Sequence, residues 1–262
     1  MASSRQGIGK SIQKGTALPP AKGHAPAKVF IMKKLLIYGD SILRGITYSE
    51  EAKKHKLCTG YKLPTLVALG YEVINHSRMG ATVDRGLDMF DYTVAECDKD
   101  TAVIFDFGGN DCDYDWAAIS ADPLAVHLPH TPEEKFRATY GEMLNRAFAT
   151  GAEVYMCNLV PMMPERYLSF ISKDRSRENI MSWLGDITML YRFQEHYNLI
   201  VEDIARTAGC PMIDLRTDFL LSHRCSSLLS LDGIHPSEEG HDLIETLLRE
   251  RLAKSDGLKK MA

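Results

Sequence analysis

The chain has 262 residues, 45% hydrophobic and 25% charged, with 31 basic against 35 acidic residues. This is the make-up of an ordinary globular protein whose length suits one α/β domain with a single core. No apolar run reaches the ~18–20 residues that a membrane span needs, and an acidic balance argues against a nucleic-acid partner.

Residues 1–31 differ from the rest. They hold Arg5, Lys10, Lys14, Lys22 and Lys28, no acid, and the Pro/Ala/Gly-rich stretch "ALPPAKGHAPAK". They lack the apolar centre of a secretory signal. Met32 is followed by "KKLLIYGDS", which reads as a natural start. Residues 1–31 are therefore expected to be a disordered leader that need not be native, with an organelle-targeting peptide as the weaker reading. The functional domain is expected over 32–262. Without the leader, 26 basic residues face 35 acidic ones, a net charge of −9.

Five short apolar runs predict strands, in chain order Lys34–Tyr38, Tyr71–Asn75, Ala102–Phe107, Glu153–Leu159 and Pro211–Leu215. Most are continuous rather than alternating, as in parallel strands covered on both faces. Between them, helical periodicity runs over Leu63–Leu69, Phe136–Thr150, Met189–Ala208 and Glu238–Leu252. Gly70, Gly151 and Gly209 close the first three, the usual chemistry between a helix and the next strand. Strands that alternate with helices imply βαβ units and a doubly wound sheet. Two connections, Asn110 to about Glu134 and Val160 to about Gly185, are too long for turns. Both follow strands, so both are expected to wall a pocket at the carboxyl edge of the sheet.

The six cysteines, at 58, 97, 112, 157, 210 and 225, form no CxxC pair. Free thiols in a reducing cytoplasm are expected, with no disulfide framework and no zinc site.

Four short pieces sit where strands end. Gly39-Asp40-Ser41 follows the first, "SRMGAT" with Gly80 the second, and "FGGND" with Asn110 the third. "LDGIHP", with Asp232 and His235, precedes the last helix. Each alone has a plain explanation. Ser41 suits a helix N-cap, Gly-Gly-Asn-Asp suits a turn, and Asp232-x-x-His235 suits a capped loop. Asp40 is expected to hold the turn by accepting backbone N–H groups. All four pieces in this order form a far more specific signal.

They resemble the blocks of the SGNH (GDSL-type) hydrolases, a family of serine esterases and lipases, over about Met32 to Leu252. Ile42 stands where the first block usually has leucine, and the second block reads His76-Ser77-Arg78-Met79-Gly80, without the common Asn-x-Gly. The resemblance implies a flavodoxin-like three-layer α/β/α sandwich on a five-stranded parallel sheet. It also implies Ser41 as nucleophile, His235 as base and Asp232 as the group that orients it. The oxyanion hole would be formed by the Ser41 and Gly80 N–H groups and the Asn110 amide. The chemistry agrees with these residue types. An alcohol needs a base within hydrogen-bond reach, an imidazole serves both the attack and the leaving alcohol, and a carboxylate three residues away can fix its tautomer. Pro236 is expected to open the last helix, with Glu238 and Glu239 in its first turn.

The expected activity is carboxylic ester hydrolysis on a small-molecule substrate, with no cofactor and no metal. An acyl thioesterase or lysophospholipase would use the same residues. A carbohydrate- or lipid-binding module that has lost turnover is the rival from another class. Asp111, Asp113 and Asp115 alternate as a calcium loop begins, but Trp116 stands where such a loop needs glycine and Asp122 where it needs glutamate. Calcium is therefore not expected. His127, His130, His196, His223 and His241 show no ligand spacing and are expected at the surface. Trp116, Tyr167 and Trp183 are candidates for the pocket wall, although packing a loop onto the core is their commoner role. Arg166, Lys173, Arg175 and Arg177 form a basic run expected to face solvent.

Overall fold

The computed structural model describes residues 33–59, 61 and 63–261. The expected leader and its boundary at Met32 lie outside the described residues. The described residues begin with β1 (Lys33–Gly39), followed by an antiparallel hairpin of β2 (Ile46–Ser49) and β3 (Lys54–Leu57). Next come α1 (Pro64–Ala68), β4 (Tyr71–Asn75), α2 (Val83–Thr93), β5 (Thr101–Asp106), α3 (Trp116–Ala121), α4 (Glu133–Ala149) and β6 (Glu153–Cys157). The rest is α5 (Pro164–Ile171), α6 (Arg177–Leu184), α7 (Thr188–Ala208), β7 (Met212–Ile213), α8 (Arg216–Leu221), α9 (Cys225–Leu228) and α10 (Glu238–Met261).

Five strands pair in parallel in the order β4-β1-β5-β6-β7. With the hairpin set aside, this is the 2-1-3-4-5 order of flavodoxin-like sheets. The period of two along a strand sends alternate side chains to opposite faces. Leu35 and Ile37 pack with Leu66 of α1 and with Ile244, Leu248 and Leu252 of α10. Leu36 and Tyr38 pack on the other face with Phe90 of α2, Phe136 and Tyr140 of α4, and Ile200 and Ile204 of α7. The result is the expected three-layer α/β/α arrangement. Each fully buried Leu or Phe of this kind contributes roughly 1.5–3 kcal/mol. The chain leaves β1 towards β4 on one side and then returns to β5 on the other. The loops that leave the carboxyl ends of β1 and β5 therefore diverge and open a crevice.

Two local expectations need correction, the length of the fifth strand and the start of the last helix. The fifth strand is two residues long, not five. The Asn158 side chain accepts from the N–H groups of Leu215 (2.7 Å) and Arg216 (3.0 Å), and Asp214 accepts from that of Thr217 (3.0 Å), so α8 starts at once. Pro236 does not open the last helix. It bridges back to Leu229, and the Ser237 hydroxyl caps α10 by accepting from the Gly240 N–H at 3.2 Å. Of the two long connections, the second is mostly helical, built from α5 and α6, and the first carries the short helix α3. Asp115 caps α3 by accepting from Ala117 and Ala118, Pro164 sits in the first turn of α5, and the Ser176 hydroxyl caps α6. The apolar sides of α3, α5 and α6 share a core of their own, which includes Trp116, Ile119, Leu168, Ile180 and Leu184.

Of the five histidines expected at the surface, His241 alone belongs to the core. It is 2% exposed and its Nε2–H donates to the Ile46 carbonyl at 2.9 Å. It lies three and seven residues before Ile244 and Leu248, on the buried stripe of α10. Burial pushes its pKa down to about 4. An unfolded imidazole titrates near ~6.5, so between these values the unfolded chain holds a proton that the native chain does not. That stability is fully present above ~6.5 and is lost as pH falls through the window. Going from pH 8 to pH 5, His241 is expected to cost the native protein roughly 2 kcal/mol. Urea unfolding of the parent and His241→Gln at both pH values checks this. The deficit of the variant at pH 8 should shrink by that amount at pH 5, and a constant gap would contradict a neutral buried imidazole.

Candidate active site

β1 ends at Gly39, where an added Cβ would meet Asp106 Cβ and O at 3.2 Å. The backbone then turns. Asp40 Oδ1 accepts the Ile42 N–H at 2.8 Å, and the Ser41 carbonyl accepts the Ile46 N–H at 3.0 Å. Asp40 thus holds the turn as expected from the sequence. Ser41 is 6% exposed and faces a cleft of about 270 Å³.

His235 arrives from the far end of the chain on a turn built by Asp232. Asp232 Oδ1 accepts the backbone N–H groups of Ile234 (3.2 Å) and His235 (3.1 Å). Gly233 makes this turn possible. Its φ is +84°, and a Cβ there would lie 2.6 Å from both the Met163 carbonyl and the Tyr167 nitrogen. The Met163 N–H donates to the Gly233 carbonyl at 2.8 Å and fixes the turn against the start of α5.

The structure brings Ser41, His235 and Asp232 into one hydrogen-bonded chain. His235 Nδ1 is 2.6 Å from Asp232 Oδ2, and His235 Nε2 is 2.9 Å from Ser41 Oγ. A carboxylate can only accept, so Nδ1 carries the proton and the Nε2 lone pair faces the serine hydroxyl. Asp232 is fully buried. Burial alone would raise its pKa, but hydrogen bonds from His235 and His55 hold it well below the usual carboxylate range. These bonds therefore favour Asp232 as an anion.

His55 was not foreseen from the sequence. Its Nε2 donates to Asp232 Oδ2 at 2.9 Å, and its ring centroid lies 4.6 Å from that of His235. It sits in β3, a strand of Lys54-His55-Lys56-Leu57 that carries no apolar pattern. His55, Asp232 and His235 form a set with metal-ligand atom types, all within 4.8 Å of one another. Their N···O separations of 2.6 and 2.9 Å are hydrogen-bond distances. Two ligands on one zinc ion at ~2.0–2.2 Å in a tetrahedral site stand farther apart than this, so the set as arranged does not fit a metal.

Gly80 and Asn110 reach the same rim. Gly80 has φ +71° and open space where a Cβ would be. Among the described residues, neither the Ser41 nor the Gly80 N–H donates to a protein acceptor. The Asn110 amide is differently placed. Its Nδ2 donates to Asp40 Oδ2 at 2.8 Å and to the Ala81 carbonyl at 3.2 Å. Below it lies a buried acidic floor, where desolvation pushes Asp40 up to about 7, Asp111 to about 6 and Asp106 well above its ordinary value. Asp111, Asp113 and Asp115 point to three different partners: the Val83 N–H, the Trp116 and Tyr167 side chains, and the start of α3. They do not converge on a common point.

A family model for the GDSL-like lipase/acylhydrolase family matches residues 37–243. The chain belongs to that family, whose members are carboxylic ester hydrolases. Solved structures share the fold. A lipase/acylhydrolase from Enterococcus faecalis is 17% identical with a TM-score of 0.59, covering 84% of this chain and 95% of its own. A GDSL-like lipase from Bacteroides thetaiotaomicron is 16% identical with a TM-score of 0.56, covering 88% and 91%. A mutant of an acetyl-xylooligosaccharide esterase from Geobacillus is 19% identical with a TM-score of 0.54, covering 82% and 92%. No curated protein matches the sequence.

In this GDSL-like chain the cleft is walled mainly by apolar side chains, among them Trp116, Met162, Tyr167 and Phe170 from the long connections and Phe193 from α7. Tyr167 and Trp116 both donate to Asp113, which ties α5 to α3. Trp183 and Arg166 are not part of the wall. Trp183 packs on Tyr114 and Phe193, and the Arg166 guanidinium donates to the Ser226 and Leu229 carbonyls. Of the basic run, Arg175 and Arg177 are exposed, and Lys173 lies over the Tyr48 and Phe170 rings. Among the described residues, no helix is long and apolar enough to cross a membrane.

Proposed function

We propose that this protein hydrolyses carboxylic esters through an acyl-enzyme on Ser41. The observation that carries the reading is the Ser41–His235–Asp232 chain, at 2.9 and 2.6 Å, opening into the cleft. Ser41 Oγ attacks the ester carbonyl while its proton passes to His235 Nε2. Asp232 stays ionised and holds the imidazolium. The negative charge on the carbonyl oxygen is met by the Ser41 and Gly80 N–H groups and by Asn110, which gives up its longer bond to Ala81 and keeps the one to Asp40. The imidazolium then protonates the departing alcohol. Water repeats the sequence in the second half, releasing the acid and restoring Ser41.

A cleft of about 270 Å³ is small beside the ~300–1,000 Å³ of pockets that take drug-sized ligands. Together with its aromatic walls this supports short acyl groups, and the Geobacillus neighbour is described as an acetyl esterase. The free cysteines fit a reducing cytoplasm. A series of p-nitrophenyl esters from acetyl to dodecanoyl tests the reading. The kcat/KM should be highest for the short acyl groups and fall towards dodecanoyl. A preference for the long chains would contradict the acyl assignment, and no hydrolysis of any ester would contradict the function.

A further inference from the structure

An ionised carboxylate offers about four acceptor sites, and at Asp232 four donors occupy them. The Ile234 and His235 backbone N–H groups share Oδ1, at 3.2 and 3.1 Å. Two imidazoles share Oδ2, His235 at 2.6 Å and His55 at 2.9 Å. Asp232 is 0% exposed, and all four of these donors come from the protein. We propose that His55 is a positioning residue for the hydrolytic reaction: its Nε2–H fixes Asp232 Oδ2, and through it the tautomer and direction of His235. This rests on the reading of Ser41, His235 and Asp232 given above.

The geometry favours this over a simple wall residue. The two rings are inclined at 56°, so their N–H groups approach one oxygen from different directions. Without His55, Oδ2 would be held by the His235 imidazole alone, the group that must itself be held still. The hairpin that delivers His55 is also fastened where this role needs it. The Thr47 and Ser230 hydroxyls are 2.8 Å apart, which ties β2 to the segment just before Asp232. On the other side His55 and Tyr48 both meet the Phe170 ring of α5 edge-on, and Lys173 Nζ donates to the Tyr48 hydroxyl at 2.9 Å. Strands of four residues are not stable by themselves in water, so these contacts define where the imidazole stands. A second donor on Oδ2 also lowers the basicity of the carboxylate. The Nδ1 proton then stays on His235 instead of passing to Asp232, while Nε2 holds the proton taken from Ser41 for the leaving alcohol.

The test is kcat and KM for p-nitrophenyl acetate in His55→Leu, His55→Asn and His55→Gln, beside the parent and Ser41→Ala, with melting temperatures as a folding control. Glutamine carries its N–H donor to about the reach of imidazole Nε2, and asparagine is one methylene short. His55→Leu and His55→Asn should lose roughly 10–100-fold in kcat, the cost of a misplaced reacting group, with KM little changed. His55→Gln should recover most of that loss. A wall residue would move KM instead and would not distinguish Gln from Asn. Parental kcat in His55→Leu, or equal losses in Gln and Asn, would overturn the inference. If His55→Leu does not fold, the Gln and Asn pair decides. Hydrolysis that survives Ser41→Ala overturns the underlying reading and this inference with it. Ser41-dependent hydrolysis that ignores His55 overturns the inference alone.

Discussion

Replacing Ser41 by alanine is expected to lower kcat by on the order of 10⁴–10⁶-fold while the protein stays folded, and His235→Ala should do the same. The two side chains are 2.9 Å apart and serve one proton transfer. Removing either ends that step, so the double variant should be hardly slower than the slower single one. Clearly additive losses would mean that the two groups act in separate steps. Folding is not expected to suffer much from Ser41→Ala, because the turn around it is held by main-chain bonds and by Asp40, not by its hydroxyl. His235→Ala leaves Asp232 with three of its four donors and is expected to cost some stability. Melting temperatures must therefore accompany the kinetics.

The second large effect belongs to Asn110. Loss of one oxyanion donor costs about 10²–10³-fold in kcat, and this is expected for Asn110→Ala, with KM changed far less because the charge develops in the transition state. Asn110→Asp is a harsher change than the sequence suggests. As a turn residue, aspartate would be an easy substitute. In the structure, however, the Asn110 amide sits 2.8 Å from Asp40 Oδ2 over a buried floor that also holds Asp106. A carboxylate there would face another at hydrogen-bond distance and would need a proton to be tolerated. Asn110→Asp should thus lose stability as well as turnover, and this loss should ease as pH is lowered. Near-parental kcat in a folded Asn110→Ala variant would remove Asn110 from the oxyanion hole.

The sheet is legible because β1, β5 and β6 are runs of apolar residues that fill both faces, and motif residues stand at the carboxyl ends of β1, β4 and β5. Tyr71–Asn75 and Glu238 at the start of α10 coincide with the expected boundaries. Ser41, Gly80, Asn110, Asp232 and His235 carry signals in their neighbours, chiefly glycines that permit tight turns. What escaped depends on tertiary contacts. Residues 54–57 read as a polar stretch and become a strand by pairing with β2, which Thr47 ties to Ser230, while His55 itself packs on Phe170. Residue type alone puts His241 at the surface, although its spacing from Ile244 and Leu248 places it on the buried stripe. That signal was available and was outweighed by the residue type. The cap helices α5 and α6 also left traces, in Pro164 and in Ser176 followed by Glu178. Both are eight residues long, and their apolar sides meet each other instead of the sheet, so neither carries an extended helical period in the sequence.

The central claim is that Ser41 is a nucleophile that becomes acylated. A fluorophosphonate, which phosphonylates only an activated serine, tests it in one measurement: the intact mass of the full chain after labelling, followed by mapping of the modified peptide. The account predicts one adduct per chain, on the peptide that contains Ser41, and none in Ser41→Ala or after prior incubation of the parent with an excess of a slowly deacylating ester. An adduct that persists in Ser41→Ala, or a parent protein that takes up no label while folded, would contradict it.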